Sequence, residues 1–179
     1  MARILFIYST VDGHTREICA RLGAVVERGG HAATLAELGT DEQPDPGNFA
    51  CVVIGASIRY GKHRPDVARF IEAHRGTLQS RPSAFFSVNA VARKPDKRTA
   101  ETNPYVRKFL RQISWRPPVI EIFAGKIDYP KYNFWDRTMI RLIMWMTKGP
   151  TDPGATVDFT DWGQVEAFGA QISAMADGR

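Results

Sequence analysis

Residues 3–8 read Arg-Ile-Leu-Phe-Ile-Tyr, apolar after the first position and without polar alternation. Such a run suits a strand buried on both faces. The period then changes, and residues 16–28 read as a helix. Residues 31–36 form a short second strand, and residues 39–48 a turn-rich loop with Pro44, Pro46 and Gly47. Cys51-Val52-Val53-Ile54-Gly55 is a second continuous apolar run. Pro65 opens a helix to residue 74, a first-turn position that tolerates proline. Residues 83–88 and 119–124 are the fourth and fifth strands. Between them lies a helix over 104–113 with Asn103 as N-cap. The last helix spans 162–175, with Asp161 as cap and Gln164 reaching back to complete a capping box.

Strands alternating with helices predict an α/β domain over residues 1–179, built on a doubly wound, five-stranded parallel sheet with right-handed crossovers. Ligands of this class sit at the carboxyl ends of the strands near the switch in strand order. Three loops meet there: residues 9–15, residues 56–62, and residue 89 onward. The segment 125–160 interrupts the alternation, and a connection that long carries a function of its own. Within it, residues 131–148 read as an amphipathic helix. Arg137, Arg141 and Lys148 share one stripe, and Trp135, Met139, Leu142, Ile143 and Met146 cover the opposite face. With Trp145, these residues suit a helix lying in an anionic membrane interface. A helix packed on the domain or in a homo-oligomer interface is the alternative.

Composition narrows the classes. The chain has 179 residues, 44% of them hydrophobic, enough for one domain with a real core. Cys19 and Cys51 sit in apolar settings without ligand spacing, as reduced core residues of a cytosolic protein do. The N-terminus enters a strand directly and shows no signal peptide, and no apolar run reaches membrane-spanning length. The four histidines form no constellation, so a metal site or catalytic triad is not expected. A net charge of +5 favours anionic partners. The basic cluster Arg93, Lys94, Lys97 and Arg98 is short and has no interleaved aromatics, which argues against nucleic acid.

The candidate chemistry lies in the three loops. Ser9, Thr10, Val11, Asp12, Gly13, His14 and Thr15 link the first strand to a helix N-terminus, where backbone N–H groups and the helix dipole converge on one spot. The turn has no Lys and lacks spaced glycines, so it fits a monophosphate that stays bound, such as that of FMN. A plain hydroxyl-capped turn would read the same. Ser57, Ile58, Arg59, Tyr60 and Gly61 offer a ring to stack, a cation and a close backbone approach. Ser87, Val88, Asn89 and Ala90 add a hydroxyl, an amide and backbone donors for a flavin's N1 and O2 edge.

Strand-Thr10-x-Asp12-Gly13-x-Thr15-helix resembles the FMN phosphate loop of flavodoxin-like proteins. Asp12 stands where flavodoxins usually carry Thr, and is expected to point outward and cap the turn. Ile54–Gly61, Pro82–Phe85, Ser87-Val88-Asn89-x-Val91-Ala92-Arg93-Lys94-Pro95 and the 129–146 segment resemble the menaquinone-dependent, oxygen-independent protoporphyrinogen oxidases of bacteria. The resemblance covers nearly the whole chain. It implies an FMN enzyme of haem biosynthesis that oxidises protoporphyrinogen IX and passes electrons to menaquinone or ubiquinone. It also implies a peripheral position on the cytoplasmic face of the inner membrane, with propionates meeting the Arg93, Lys94, Lys97 and Arg98 cluster. The alternatives are a flavodoxin-type electron carrier, a small NAD(P)H:quinone reductase, and a non-redox module for anionic lipid or nucleic acid.

Overall fold

The computed structural model describes residues 1–40 and 42–178. In chain order it contains β1 (Arg3–Ser9), α1 (His14–Arg28), β2 (Ala32–Glu37), β3 (Cys51–Ser57), α2 (Pro65–Ala73), α3 (Arg75–Gln79), β4 (Ser83–Asn89), α4 (Pro104–Leu110), β5 (Val119–Ala124), β6 (Lys126–Asp128), α5 (Phe134–Met146), β7 (Thr156–Asp158) and α6 (Trp162–Ala176). The five long strands form a parallel sheet in the order β2-β1-β3-β4-β5, as expected for the doubly wound class. The uninterrupted apolar runs occupy its centre. β1, β3 and β4 are buried almost throughout, whereas β2, at an edge, is only partly covered.

Successive side chains along each strand feed two separate cores, because pleating sends them to opposite faces. Ile4, Phe6 and Tyr8 pack with Ile18, Leu22 and Phe168 beneath α1 and α6. Leu5 and Ile7 pack with Val67, Phe70, Phe85 and Phe109 beneath α2 and α4. Phe86 is the hub of the first core, with its ring edge-on to Phe123 at 5.5 Å and Phe168 at 6.3 Å. It has room because position 55 on the neighbouring strand is glycine. A Cβ there would lie 2.2 Å from Phe86 Cζ.

Several local expectations are corrected. α1 begins at His14 rather than residue 16. The helix expected over 65–74 ends at Ala73, and a separate short helix, α3, follows. α4 stops at Leu110 rather than residue 113. Asn103 and Asp161 do cap their helices, accepting from Val106 N (3.3 Å) and Gln164 N (3.1 Å). Gln164 does not close the capping box. Its Nε2 donates instead to Glu121 Oε1 at 2.6 Å, joining α6 to β5. The 125–160 segment contains the expected helix, now bounded by Asn133 as N-cap. It also contains an antiparallel pairing of β6 with β7, whose three-residue strands are too short to show a period. Ile127, Tyr129, Tyr132 and Met144 give this segment its own small core, packed against Ala90 of the main domain.

Gly55→Ala should destabilise the protein by about 1–3 kcal/mol, because the added methyl collides with a ring fixed by two aromatic neighbours. Gly76→Ala, which meets nothing within 4 Å, is the control and should be neutral or slightly stabilising. Denaturant midpoints of the two variants check the contrast.

Candidate functional site

The turn between β1 and α1 is built to receive an anion. Gly13 adopts φ +84°, in the left-handed region, and its N–H donates to Thr10 Oγ1 at 3.0 Å. Gly13 is also the N-cap of α1. It offers no side-chain acceptor, so the first amides of a fifteen-residue helix have no side-chain cap. Around them, the hydroxyls of Ser9, Thr15 and Ser57 are buried with no hydrogen-bond partner. Three unpaired hydroxyls beside an uncapped helix N-terminus are costly unless a ligand accepts from them. That observation fits a phosphate, and the plain capped turn does not account for it.

Asp12 does not cap the turn. Both its carboxylate oxygens accept from Arg59 Nη1, at 3.1 and 3.0 Å, so its charge is neutralised at the lip of the cradle. Arg59 Nη2 reaches Asp136 Oδ2 at 2.7 Å, on the first turn of α5. The Tyr60 hydroxyl donates to the other oxygen of Asp136. Burial works against the charge of Arg59, but Asp12 and Asp136 outweigh it and hold the guanidinium's pKa above its ordinary value. The Tyr60 bond, with help from Arg59, lowers the Asp136 carboxyl. Tyr60 itself sits at φ 50°, unusual for a non-glycine residue, and its ring is half exposed.

A cavity opens beside this cluster at the carboxyl ends of β1, β3 and β4. The structure brings Thr10, Val11, Asp12, His14 and Thr15 of the first loop to its wall. It adds the whole Ser57–Gly61 loop, and Val88, Asn89 and Ala90 of the third. Ser87 is not there: it lies one pleat further back along β4 on the same side as Asn89, which donates to its Oγ at 3.3 Å, and that Oγ lies 3.0 Å from His63 Nε2. His14 lines the cavity with both ring nitrogens engaged, Nδ1 with Glu17 at 2.8 Å and Nε2 with Thr160 at 2.7 Å.

The remaining wall comes from residues that pattern reading assigned elsewhere or missed. Ile140, Ile143 and Met144 on the inner side of α5 line the cavity, with Ile127 and Tyr132. Ile143 was expected on the exposed face. At 100° per residue it falls on the side of Ile140 and Met144, and that side packs on the domain. The outer side carries Phe134, Trp135, Met139, Leu142, Trp145 and Met146, all exposed. The expected cationic stripe is not free. Arg137 Nη2 donates to Tyr132 O and Arg141 Nε to Thr151 O, while Lys148 lies beyond the helix end at φ 57°.

The basic cluster does not assemble at the cavity. Arg93 donates from Nη1 to Ala90 O (2.9 Å) and from Nη2 to Thr147 O (2.8 Å), fastening the end of α5. Arg98 Nε bonds to Ala92 O, and Lys97 pairs with Asp96 at 3.1 Å. Only Lys94 of the four has no bond or ion pair of its side chain among the described residues. The carbonyls of Ala90, Ala92 and Thr147 take the two arginines, and the Asp96 carboxylate takes Lys97, all donors that sequence reading gave to a substrate. Among the described residues no group of three or more histidine, cysteine or acidic side chains could hold a metal ion, and no helix is long and apolar enough to cross a membrane.

Comparison with known proteins places these features. Residues 5–154 match the family model described as a flavodoxin domain. The quinone-dependent protoporphyrinogen IX dehydrogenase of Escherichia coli (strain K12) is 46% identical over 175 residues, covering 98% of this chain and 97% of that protein. The protein of the same description from Leishmania major is 40% identical over 185 residues, covering 97% of this chain and 75% of its own length. Among solved structures, a flavodoxin from the domain Archaea aligns over 98% of this chain and 99% of its own, with TM-score 0.57 and 10% identity, a likeness of fold.

His63, which no motif singles out, is buried between Phe85 and Phe109, and desolvation lowers its pKa from 6.5 to about 3. Between those values the unfolded chain binds the proton and the folded one does not. Stability should therefore fall as pH drops from 6.5 towards 3, by up to about 1.4 kcal/mol per unit from this group. Urea unfolding across that range should show a slope shallower by about one proton in His63→Gln.

Proposed function

The chain belongs to the flavodoxin-domain family and, within it, to the quinone-dependent protoporphyrinogen IX dehydrogenases, and from that premise we propose that it oxidises protoporphyrinogen IX to protoporphyrin IX and delivers the electrons to a membrane quinone. FMN is the cofactor that the flavodoxin domain implies. The observation that carries the reading is the cradle at the start of α1, where uncapped amides and the orphaned hydroxyls of Ser9, Thr15 and Ser57 fit the FMN phosphate.

When bound, the flavin supplies two-electron redox chemistry through hydride acceptance. The protein's residues do the rest. Thr10 and Gly13 shape the phosphate turn. Ile58, Tyr60 and residues 88–90, which line the cavity, would hold the flavin ring there. Arg59, tied to Asp12 and Asp136, holds the second loop, the phosphate turn and the start of α5 together around the cavity. Ile140, Ile143 and Met144 exclude water and present an apolar surface to a flat macrocycle or quinone ring. Successive two-electron steps convert the porphyrinogen to the aromatic porphyrin.

The outer side of α5 supports a peripheral membrane position, and the family resemblance implies the cytoplasmic face of the inner membrane. Trp135 and Trp145 are 76% and 72% exposed, beside Met139, Leu142 and Met146. A contiguous apolar patch of that kind on a helix whose inner side lines the redox cavity suits a lipid interface from which quinone is drawn. The net charge of +5 favours an anionic surface.

Anaerobic incubation of FMN-loaded protein with protoporphyrinogen IX and a menaquinone analogue should give porphyrin fluorescence that depends on both additions. A colourless protein that takes up no FMN, or turnover that follows NADPH instead, overturns the reading. In co-sedimentation with anionic vesicles, Trp135→Ser with Trp145→Ser should weaken binding about tenfold or more. FMN content should stay the same, and turnover with a water-soluble quinone should persist.

A further inference from the structure

A second cavity adjoins the flavin pocket and shares two of its walls, Gly61 and Tyr105. The Tyr105 ring lies 3.3 Å from where a Gly61 Cβ would stand, so the glycine keeps the partition thin. The chemistry of this second cavity is one-sided. Lys62, Arg64 and Lys108 line it, together with His63 and Gln112, and no aspartate or glutamate does. Lys62 comes from the loop after β3 and Lys108 from α4, and neither makes an ion pair or side-chain hydrogen bond among the described residues. Arg64 is shared between Asp66, at 3.4 Å, and the phosphate-turn carbonyl of Thr10, also at 3.4 Å.

His63 supplies an independent indication. It is buried, and its Nδ1 has no partner. Ser87 Oγ accepts from Asn89 Nδ2 at 3.3 Å and lies 3.0 Å from His63 Nε2. With the Ser87 hydroxyl donating to Nε2, the ring hydrogen sits on Nδ1, a buried donor without an acceptor on a residue that lines a cationic cavity. An anion supplies what the wall lacks.

We propose that this cavity is a carboxylate subsite: a propionate of the tetrapyrrole, whose macrocycle lies in the flavin pocket, passes Gly61 and Tyr105 to meet Lys62, Lys108 and the Nδ1–H of His63. The inference rests on the functional reading above. It also moves the recognition of propionates away from the Arg93–Arg98 segment, whose guanidinium groups are bonded to backbone carbonyls. The tetrapyrrole carries its two propionates on one edge, so a subsite on one side of the pocket orients the ring as well as holding it.

The test compares FMN-loaded parent protein with Lys62→Ala/Lys108→Ala, using protoporphyrinogen IX and its uncharged dimethyl ester. KM for the diacid should rise about tenfold in the variant, while KM for the diester and the flavin content stay as in the parent. Lys62→Arg/Lys108→Arg should restore the low diacid KM. Equal changes for both substrates, or no change for either, overturn the subsite. A parent that oxidises neither substrate defeats the functional reading, and the subsite is then judged by binding alone, from tryptophan quenching by protoporphyrin IX and its diester. Diacid affinity that the lysine substitutions lower supports the subsite. Unaltered affinity, or lysine-dependent binding of inorganic phosphate without the porphyrin diacid, overturns it.

Discussion

Arg59 holds three separate stretches of chain in one place. One guanidinium nitrogen takes both oxygens of Asp12 on the phosphate turn, and the other takes Asp136 on α5. Its side chain is only 18% exposed, so these charge-assisted bonds are screened less than surface pairs. The face of the Tyr132 ring, 5.2 Å away, adds a further favourable contact. Without this cation Asp12 would set a carboxylate against the bound phosphate, and the start of α5 would lose its main polar tie to the domain. The pocket exists as a pocket because the insert is fastened over it.

That fastening gives α5 two separate tasks. At its far end Arg93 bonds the Thr147 carbonyl, and the small core around Tyr129 and Met144 holds the middle. One side of the helix is then committed to the domain and lines the redox cavity. The other keeps its aromatic and aliphatic side chains in solvent, at odds with a soluble surface unless something apolar covers them. One helix thus presents an apolar wall to the cavity on its inner side and an exposed apolar patch on its outer side.

The legible parts of the site were those carried by local chemistry. Ser9 to Thr15 offered an anion turn or a plain hydroxyl-capped one, and the unpartnered hydroxyls of Ser9, Thr15 and Ser57 favoured the first. The Ser57–Gly61 loop followed from its place after a buried strand. Less legible was what depends on direction. Ser87 and Asn89 share one side of β4, yet only Asn89, at the strand's end, lines the cavity with Val88, while Ser87 lies one pleat back against His63. Arg93 and Arg98 looked free because their acceptors are backbone carbonyls, which every residue carries and no sequence marks. His63 carried no signal, and its burial between Phe85 and Phe109 follows from how α4 packs.

The order of apolar runs and turns determined the five-stranded α/β architecture and the edge where ligands gather, because burial on both faces imposes unbroken hydrophobic strands and chirality leaves few connections. Tertiary structure alone decided how charge is shared out. Asp12 and Asp136 converge on Arg59 from positions 47 and 77 residues away. Lys62 and Lys108 reach one cavity from different elements. Which cation is neutralised and which stays available depends on acceptors brought close by packing, and a linear pattern records types of side chain without their partners.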